Sequence, residues 1–416
     1  MGGLSCGIDV GTTNLKVLLL DDGGRTLWVK SVPAPHKRDE LGVVTDAREL
    51  VATSEALIIE GCKAVARGRK LTAISSAGIG EDGVGVDENL KPLGHAIQWN
   101  DRRGESFALA LAKTDMARAY PTILLDFSSS AGKWQWLRDN KPGESDGAKH
   151  WLTMTDYAIA VWAGQPFMSA TLAPRTGCYD VFTRQWIPGL LEHVGAPPLP
   201  PLVEAGGIVG TLRQGPLISA GVADEKTLLV AGGHDHPVAA SAIRRIRKDA
   251  RIDSMGTANA TYGETATLMP DRDLEGLYVT LPISGAKGAA VIGMSEFSVT
   301  LAQHTEDVAS LYAALQKGAA IPDALRPVLD DLAQRTRHFW AAMTRAGVPQ
   351  APIYATGGWA RCPAIMQSRA NIFGEPIIVV GEPELVALGA ALFAALGNRP
   401  VPASSSEVIF TTYEPS

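Results

Sequence analysis

Two stretches that each join one strand to another through a Gly-Thr turn decide the fold of this chain. The first is Gly7-Ile8-Asp9-Val10-Gly11-Thr12-Thr13-Asn14-Leu15-Lys16, and the second is Arg251-Ile252-Asp253-Ser254-Met255-Gly256-Thr257-Ala258-Asn259-Ala260. Glycine lets the backbone approach a ligand closely, and the hydroxyl and N–H groups of such turns donate to phosphate oxygens. Two such turns that hold one triphosphate from both sides are typical of an ATP-dependent phosphotransferase with two domains.

Length and composition exclude several classes of protein. A chain of 416 residues predicts two domains, because single cores stop growing at about 250–300 residues. The composition is globular, with 46% hydrophobic and 20% charged residues and a mean hydropathy of +0.05. A net charge of −6 and a pI near 5.8 argue against a nucleic-acid partner, and no apolar run approaches the roughly 18–20 residues that span a bilayer. Four scattered cysteines and the absence of a signal peptide predict a cytoplasmic protein with reduced thiols.

The order of strand and helix patterns places a domain boundary near residue 225, which gives domains 1–225 and 226–416. A strand meander is predicted over residues 4–32, a helix over 47–67, a buried strand over 71–77 and a short strand over 93–99. A strand at 228–231, a turn at 232–236 and a helix from about 237 restart the pattern, so we expect residue 228 to open the second domain. Later strands are predicted at 251–255, 259–265, 353–356 and 376–380, and helices at 364–373 and 385–396.

Asp9 ends its strand just before the first turn, and Lys16 lies within reach of the same turn. A carboxylate beside phosphate needs a cation between them, so we expect Mg²⁺ near Asp9, held directly or through water. An ordinary hairpin turn is the alternative, and the second Gly-Thr turn makes it less favoured. The expected phosphate contacts are Thr12, Thr13, Lys16, Gly256 and Thr257.

The segment Gly232-Gly233-His234-Asp235-His236 follows a strand and precedes Pro237, which suits the first turn of a helix. Asp235 is therefore expected at a helix N-terminus, where a carboxylate can take the proton from a substrate hydroxyl. A helix N-cap and a metal site that uses His234 and His236 are the alternatives.

Two further segments supply candidate contacts for a hydroxylated substrate. Gly78-Ile79-Gly80-Glu81-Asp82-Gly83 has the spacing of a dinucleotide-binding turn, but the helix that this motif requires is missing. We therefore interpret Glu81 and Asp82 as hydroxyl-binding carboxylates. Trp99, at the end of another predicted strand, is either a core residue or a stacking face for the carbon chain of a sugar.

Motifs along nearly the whole chain resemble, in order, those of the FGGY carbohydrate kinases of the actin-like ATPase superfamily. They are the first turn with Lys16, Ala96–Arg102, Ser128–Asn140, Gly232–Asp235, Gly256-Thr257, Ala355–Gly358 with Arg361, and Gly374–Ala391. The resemblance implies an α/β fold of two actin-like (ribonuclease H-like) domains, each a mixed five-stranded sheet with flanking helices, with a cleft between them. It implies that Asp235 is the catalytic base and that Gly357, Gly358 and Arg361 bind the adenosine part of ATP. The implied acceptor contacts are Glu81, Asp82, Trp99, Ser128, Asp235 and His236.

The resemblance also implies transfer of phosphate from ATP, with Mg²⁺, to a primary hydroxyl of a small sugar or polyol of the ketopentose or tetritol type. The chain departs from the family in a shortened C-terminal domain, because His304-Thr305 follows Met294 almost at once. His236 stands where many members have Asn or Gln, and Glu81 where pentulose kinases often have His, so the acceptor is not assigned to a branch. The partner is expected to be a small molecule, with neither nucleic acid nor membrane, and a homodimer stays open.

Two other functions stay open at this point. One is a nucleotide-binding sensor with weak catalysis on the same fold. The other is a metal-dependent hydrolase that uses His234, Asp235 and His236.

Overall fold

The computed structural model describes residues 3–65, 68–267, 274, 276–382, 384–396 and 410–416. These residues divide into two compact units. The first holds the chain up to Ala242, with Leu281–Ala286 and the late segment that begins at Val386; the second holds Ile243–Thr280, Lys287–Leu385 and the C-terminal strand. Within the described ranges, none of the helices combines the length and the apolar character needed to cross a membrane.

Both units combine strands and helices. The strands are β1 (Leu4–Val10), β2 (Asn14–Asp21), β3 (Thr26–Pro33), β4 (His36–Arg38), β5 (Val43–Thr45), β6 (Leu71–Gly78), β7 (Gly83–Val86), β8 (Ala96–Ile97), β9 (His150–Thr153), β10 (Met168–Ser169), β11 (Tyr179–Asp180), β12 (Gln185–Trp186), β13 (Leu202–Val203), β14 (Ile208–Thr211), β15 (Leu228–His234), β16 (Arg251–Met255), β17 (Asn259–Thr265), β18 (Tyr278–Thr280), β19 (Ala289–Ser295), β20 (Ile353–Thr356), β21 (Ile377–Val380) and β22 (Phe410–Tyr413). The α-helices are α1 (Ala47–Val65), α2 (Glu105–Ala112), α3 (Asp115–Arg118), α4 (Ser130–Asn140), α5 (Pro142–Gly147), α6 (Met154–Ala163), α7 (Pro188–Val194), α8 (Pro216–Ser219), α9 (Asp235–Arg244), α10 (Phe297–Ala302), α11 (Val308–Gln316), α12 (Arg326–Arg345), α13 (Pro363–Phe373) and α14 (Leu385–Leu396), with 3₁₀ helices at Ala170–Thr176 and Trp359–Arg361.

The main sheet of the first unit has the order β14-β15-β6-β1-β2-β3. Its central strand β1 is buried along its whole length, as expected for a strand covered on both faces. β1 pairs antiparallel with β2 and parallel with β6, and β6 pairs parallel with β15. Leu50, Leu57 and Ile58 recur on one face of α1 and are buried, so this helix covers the sheet through an apolar stripe.

The main sheet of the second unit has the order β18-β19-β17-β16-β20-β21-β22. β16 pairs antiparallel with β17 and parallel with β20, as β1 does with β2 and β6. The five strands β19-β17-β16-β20-β21 therefore repeat the order and sense of β3-β2-β1-β6-β15. This confirms the expected mixed five-strand core in each domain. Among the described residues the sheets have six and seven strands, because β14, β18 and β22 add to their edges.

The prediction that residue 228 opens the second domain is wrong. β15 pairs with β14 and β6, so it is part of the first sheet. The Gly232-Gly233 pair does not form the expected turn. It lies within β15 at an irregularity of the pairing register between Val230 and Gly233, and α9 begins at Asp235. A boundary near 225 would cut this strand from its sheet, so we propose to place the domain boundary after Ala242.

Two smaller differences concern the first unit. The strand predicted over 93–99 is reduced to β8, since only Ala96 and Ile97 pair in the sheet, with β5 and β7, while Leu93 makes a single backbone hydrogen bond to the Gly85 carbonyl. The helix predicted over 47–67 ends at Val65, and residues 66–67 lie outside the described residues.

Candidate active site

The first Gly-Thr turn connects β1 to β2, and the antiparallel register of these strands places Asp9 opposite Lys16. Asp9 is buried, and its Oδ2 atom lies 3.3 Å from the Nζ atom of Lys16. A hydrogen bond of 3.1 Å from the Gly11 N–H to the Asn14 carbonyl closes the turn, and Thr12 within it is half-buried. A carboxylate, an ammonium group and hydroxyls beside an open turn fit a phosphate chain with its divalent cation. Asp9 is the residue of this turn that would hold Mg²⁺.

Trp99 lies against this turn and is only partly buried. Its indole N–H donates to Thr12 Oγ1 at 2.9 Å, and its backbone N–H donates to Asp82 Oδ1 at 2.5 Å. The Trp99 and Phe127 rings are tilted against each other, with centroids 6.3 Å apart. Thr13, the next residue of the turn, is exposed. Trp99 therefore joins a candidate phosphate contact to a candidate acceptor contact.

Asp235, the candidate base, is the first residue of α9 and directly follows β15. Its Oδ1 atom accepts a hydrogen bond of 2.6 Å from the backbone N–H of His236 and lies 3.3 Å from the Nε2 atom of His234. These two neighbours fix the orientation of the carboxylate. Its side chain is 27% exposed, so a hydroxyl group can reach it.

His234 is a neutral partner of this carboxylate. Burial lowers its pKa to about 3, against the opposing effect of Asp235, so the imidazole carries no charge near pH 7. Its Nδ1 atom is buried and makes no hydrogen bond within the described residues, which leaves Nε2, facing Asp235, as the nitrogen expected to carry the proton. The backbone N–H of His234 donates to Thr171 Oγ1 at 3.0 Å, which fixes the end of β15.

The histidine pair is not arranged as a metal site. The His234 and His236 rings are nearly perpendicular, with centroids 5.6 Å apart. In the part of the chain that the structure describes, no group of three or more His, Cys, Asp or Glu side chains could hold a metal ion. This geometry does not favour the hydrolase alternative.

Glu81 forms a buried ion pair with Arg175 of the first 3₁₀ helix, a residue that sequence reasoning missed. Arg175 Nε donates to Glu81 Oε1 at 2.6 Å, and Arg175 Nη2 donates to the same oxygen. The pair lies near His234, the residue before the candidate base, since a Cβ atom on Gly80 would lie 2.6 Å from Arg175 Cγ and 3.2 Å from His234 Cδ2. Both contacts use Oε1, so Oε2 is the Glu81 oxygen left for an acceptor hydroxyl.

Asp82 and Lys133 are a second pair of buried charged side chains, 2% and 0% exposed. Burial raises the pKa of Asp82 to about 7, although the charge of Lys133 opposes this effect. Burial likewise lowers the pKa of Lys133 to about 8, and its Nζ atom makes no hydrogen bond within the described residues. Because Asp82 is buried and accepts the Trp99 N–H, its position is better suited to orienting Trp99 than to open contact with an acceptor.

Ser128 is close to Trp99 through its neighbour Phe127, but its hydroxyl group is already engaged. Its Oγ–H donates to Asp126 Oδ1 at 2.6 Å, and its backbone N–H donates to the same atom at 2.8 Å. Ser128 therefore reaches an acceptor only if this bond to Asp126 is shared or exchanged.

The second Gly-Thr turn belongs to the second unit and connects β16 to β17. The Gly256 N–H donates to the Ala258 carbonyl at 2.9 Å, and Thr257 is exposed. Ser298 supports the turn, since its N–H donates to the Thr257 carbonyl at 2.9 Å and its hydroxyl to the Gly256 carbonyl at 3.2 Å. The indole N–H of Trp359 donates to Ser298 Oγ at 3.0 Å. The candidate phosphate and adenosine turns are thus connected within this unit.

The candidate adenosine turn follows β20 and requires glycine. Gly357 has φ +92°, and a Cβ atom there would lie 2.5 Å from the Met255 carbonyl oxygen. Gly358 precedes the second 3₁₀ helix, and Arg361 at its end is exposed. The turn therefore offers backbone and a cation next to the strand that carries the second phosphate turn.

In the first unit the predicted residues form two sets, and the adjacent residues Glu81 and Asp82 belong one to each. Hydrogen bonds link Thr12, Trp99 and Asp82, and the Glu81–Arg175 pair lies near His234, the residue before Asp235. Sequence reasoning missed Arg175, which carries no motif of its own, and assigned no role to Lys133, although Lys133 lies inside a motif that matched. In the second unit, Ser298 and Trp359 are the missed supports.

Two family profiles match this chain when it is compared with known proteins. The profile of the FGGY family of carbohydrate kinases, N-terminal domain, matches residues 4–242, and that of the C-terminal domain matches residues 241–397. The chain is similar to a glycerol kinase of Acidovorax ebreus, with 25% identity over 472 residues that cover 96% of this chain and 91% of the relative. It is also similar to a xylulose kinase of Streptomyces coelicolor, with 27% identity over 448 residues that cover 95% and 88%.

Solved structures agree on the fold. The crystal structure of a gluconate kinase from Lactobacillus acidophilus is similar with a TM-score of 0.86 and 17% identity, covering 100% of this chain and 94% of that one. A ligand-bound xylulose kinase from the same species is similar with a TM-score of 0.85, 18% identity and the same coverage. Because the two family profiles together span residues 4–397, the chain belongs to the FGGY family of carbohydrate kinases.

Proposed function

We propose that this protein phosphorylates a primary hydroxyl of a small polyol or ketose, with ATP as the donor and Asp235 as the general base. Membership of the family makes it an ATP-dependent kinase of a sugar or polyol.

The observation that carries the proposal is the environment of Asp235. A partly exposed carboxylate at a helix N-terminus, held by the His236 N–H and by neutral His234, supports a role for Asp235 as the acceptor of one proton. A nucleotide-binding sensor with weak catalysis would not need a carboxylate held in this way. We therefore assign the catalytic role to Asp235 and a positioning role to His234.

The proposed step is a single in-line displacement. As the acceptor hydroxyl loses its proton to Asp235, its oxygen forms a bond to the γ-phosphorus, the bond from that phosphorus to the bridging β-oxygen breaks, and ADP leaves. Such a transfer needs little covalent chemistry from the protein, so positioning and charge stabilisation dominate. Thr12, Thr13 and Lys16 would orient the phosphate chain, and Thr257 would serve as a further donor. Mg²⁺, when bound near Asp9, supplies charge neutralisation for the phosphate oxygens.

The acceptor class is proposed from the chemistry beside the base. Glu81 Oε2 and His236 can hydrogen-bond to hydroxyl groups, and Trp99 presents a partly buried ring to a carbon chain. This set suits a short polyol or ketose, and relatives named glycerol kinase and xylulose kinase act on acceptors of that size.

A panel of C3 to C7 polyols, aldoses and ketoses tests the proposal by ADP release with Mg²⁺–ATP. We expect one or a few related acceptors to stimulate ADP release, with a phosphate monoester as the second product in ³¹P NMR. ADP release that no acceptor stimulates, from a protein that binds ATP, would contradict the proposed acceptor class.

A further inference from the structure

We propose that His36 is a positioning residue for the first phosphate turn and that it acts together with Gln98 and Trp99. The inference rests on the proposed function, since it assumes that Thr12 and Thr13 contact phosphate. Neither the motifs of the sequence nor the proposed mechanism assigns a role to His36.

His36, at the start of β4, contacts the backbone of the turn. Its Nε2 atom lies 2.6 Å from the Thr12 carbonyl oxygen, and its Nδ1 atom lies 2.8 Å from the side-chain nitrogen of Gln98. A carboxamide nitrogen only donates, so Nδ1 accepts and the proton of the neutral ring lies on Nε2. That proton is then donated to the Thr12 carbonyl. Gln98 thus fixes the tautomer that the contact with Thr12 requires.

The same short segment also holds the side chain of Thr12. Trp99 follows Gln98 in the sequence and donates its indole N–H to Thr12 Oγ1 at 2.9 Å. Gln98 is itself buried, and its side-chain nitrogen also lies 3.1 Å from Thr45 Oγ1. Thr12 is therefore held at two atoms, at its carbonyl oxygen by His36, which Gln98 orients, and at Oγ1 by Trp99.

Strand pairing supports these contacts. In the small sheet β4-β5-β8-β7-β9, His36 pairs with Thr45, and Thr45 pairs with Ala96. His36 and Ala96, from which the chain continues to Gln98 and Trp99, therefore lie on either side of Thr45 in one sheet. The turn between β1 and β2 belongs to a different sheet, so these hydrogen bonds connect the two.

The contact has a direct consequence for phosphate binding. The carbonyl of Thr12 and the N–H of Thr13 belong to one planar trans peptide and point in opposite directions. By holding the carbonyl, His36 directs the Thr13 N–H to the opposite side, where a phosphate oxygen can accept it. The Thr13 carbonyl is fixed in turn by the Ala34 N–H at 2.9 Å. Misplacement of such a donor by about 1 Å is enough to slow a phosphoryl transfer strongly.

Three variants test the inference. His36→Ala removes the donor to Thr12, His36→Gln retains a nitrogen that can donate to the same carbonyl, and His193→Ala changes an exposed histidine of α7 in the same unit. The first measurement is hydrogen exchange of the peptide that covers residues 10–15 in the ligand-free protein. The second is the affinity for Mg²⁺ with the non-hydrolysable analogue AMP-PNP, by calorimetry without any sugar.

We expect His36→Ala to accelerate exchange in residues 10–15 and to weaken AMP-PNP binding about three- to tenfold, the range of one neutral hydrogen bond. His36→Gln should recover most of both properties, and His193→Ala should change neither. The inference is overturned if His36→Ala binds AMP-PNP like the wild type, if His36→Gln is as impaired as His36→Ala, or if exchange rises equally around residues 256–259. A wild-type protein that fails to bind AMP-PNP would overturn the proposed function, and this inference with it.

Discussion

Replacing Arg369 by methionine is expected to destabilise the second unit by about 3 kcal/mol, because Asp253 would lose its partner in a dry interior. Arg369 Nη2 donates to Asp253 Oδ2 at 2.7 Å, and the two side chains are 2% and 0% exposed. Breaking a buried pair costs about 3–5 kcal/mol. Asn259 Nδ2 still donates to Asp253 Oδ1 at 2.6 Å after the change, so we place the loss at the lower end of that range.

The double variant Asp253→Asn/Arg369→Met removes both charges and keeps an oxygen for the amide of Asn259. Arg369 Nε and Nη1 are buried and make no hydrogen bond within the described residues, so two unsatisfied donors disappear with the guanidinium. The double variant should therefore be more stable than Arg369→Met and lie within about 2 kcal/mol of the wild type.

Native-state hydrogen exchange on peptides that cover β16 and α13 measures the opening free energy of this unit. The matched control is Arg335→Met on α12, whose pair with Asp331 is exposed and should contribute less than about 1 kcal/mol. The reasoning is refuted if Arg369→Met costs no more than Arg335→Met, or if the double variant loses the sum of its two single changes.

Three further predictions concern the first unit. Burial raises the pKa of Asp156 to about 6 from about 3.8, so between these values the native state keeps a proton that the unfolded chain has released. The free energy of unfolding therefore falls by about 1.4 kcal/mol per pH unit as pH rises from about 4 to 6. Urea unfolding of Asp156→Asn should lack this slope, and an unchanged slope would contradict the assignment. Glu81→Gln leaves Arg175 without its charged partner and should raise the KM for the acceptor at least about tenfold. The affinity for AMP-PNP is the control and should not change. An equal loss of acceptor and AMP-PNP binding would instead indicate general disruption of the unit. Thr171→Val removes the acceptor of the His234 N–H and should lower kcat about three- to tenfold without changing the KM for ATP. An unchanged kcat would show that the end of β15 keeps its position without this hydrogen bond.

The sequence predicts those parts of the fold that local patterns decide. β16, β17, β20 and α14 have the predicted bounds, because apolar patterns and Gly turns mark their ends within a few residues. The place of β15 was not predictable in this way. Its partners, such as Ser75 opposite Val230, lie far away in the chain, and a strand that ends in Gly-Gly resembles a strand followed by a turn.

The candidate site shows the same difference between local patterns and contacts that join distant parts of the chain. Motifs indicate Asp9, Thr12 and Asp235 as candidates, since each lies at a turn or helix start with a recognisable local pattern. Arg175 lies 94 residues from Glu81, and only the fold shows that they form a buried pair. The pairing engages Glu81 Oε1, so the predicted hydroxyl contact of Glu81 would use Oε2.

Turnover of Asp235→Asn tests the central claim most directly, because the variant keeps the shape of the base and removes its ability to accept a proton. Acceptor-stimulated ADP release is measured for the wild type, for Asp235→Asn and for Asp146→Asn, an exposed carboxylate of α5 in the same unit. We predict that Asp235→Asn binds AMP-PNP normally and loses at least about 10²-fold in turnover, while Asp146→Asn is unchanged. Wild-type turnover in Asp235→Asn would remove this residue from the mechanism and contradict the account.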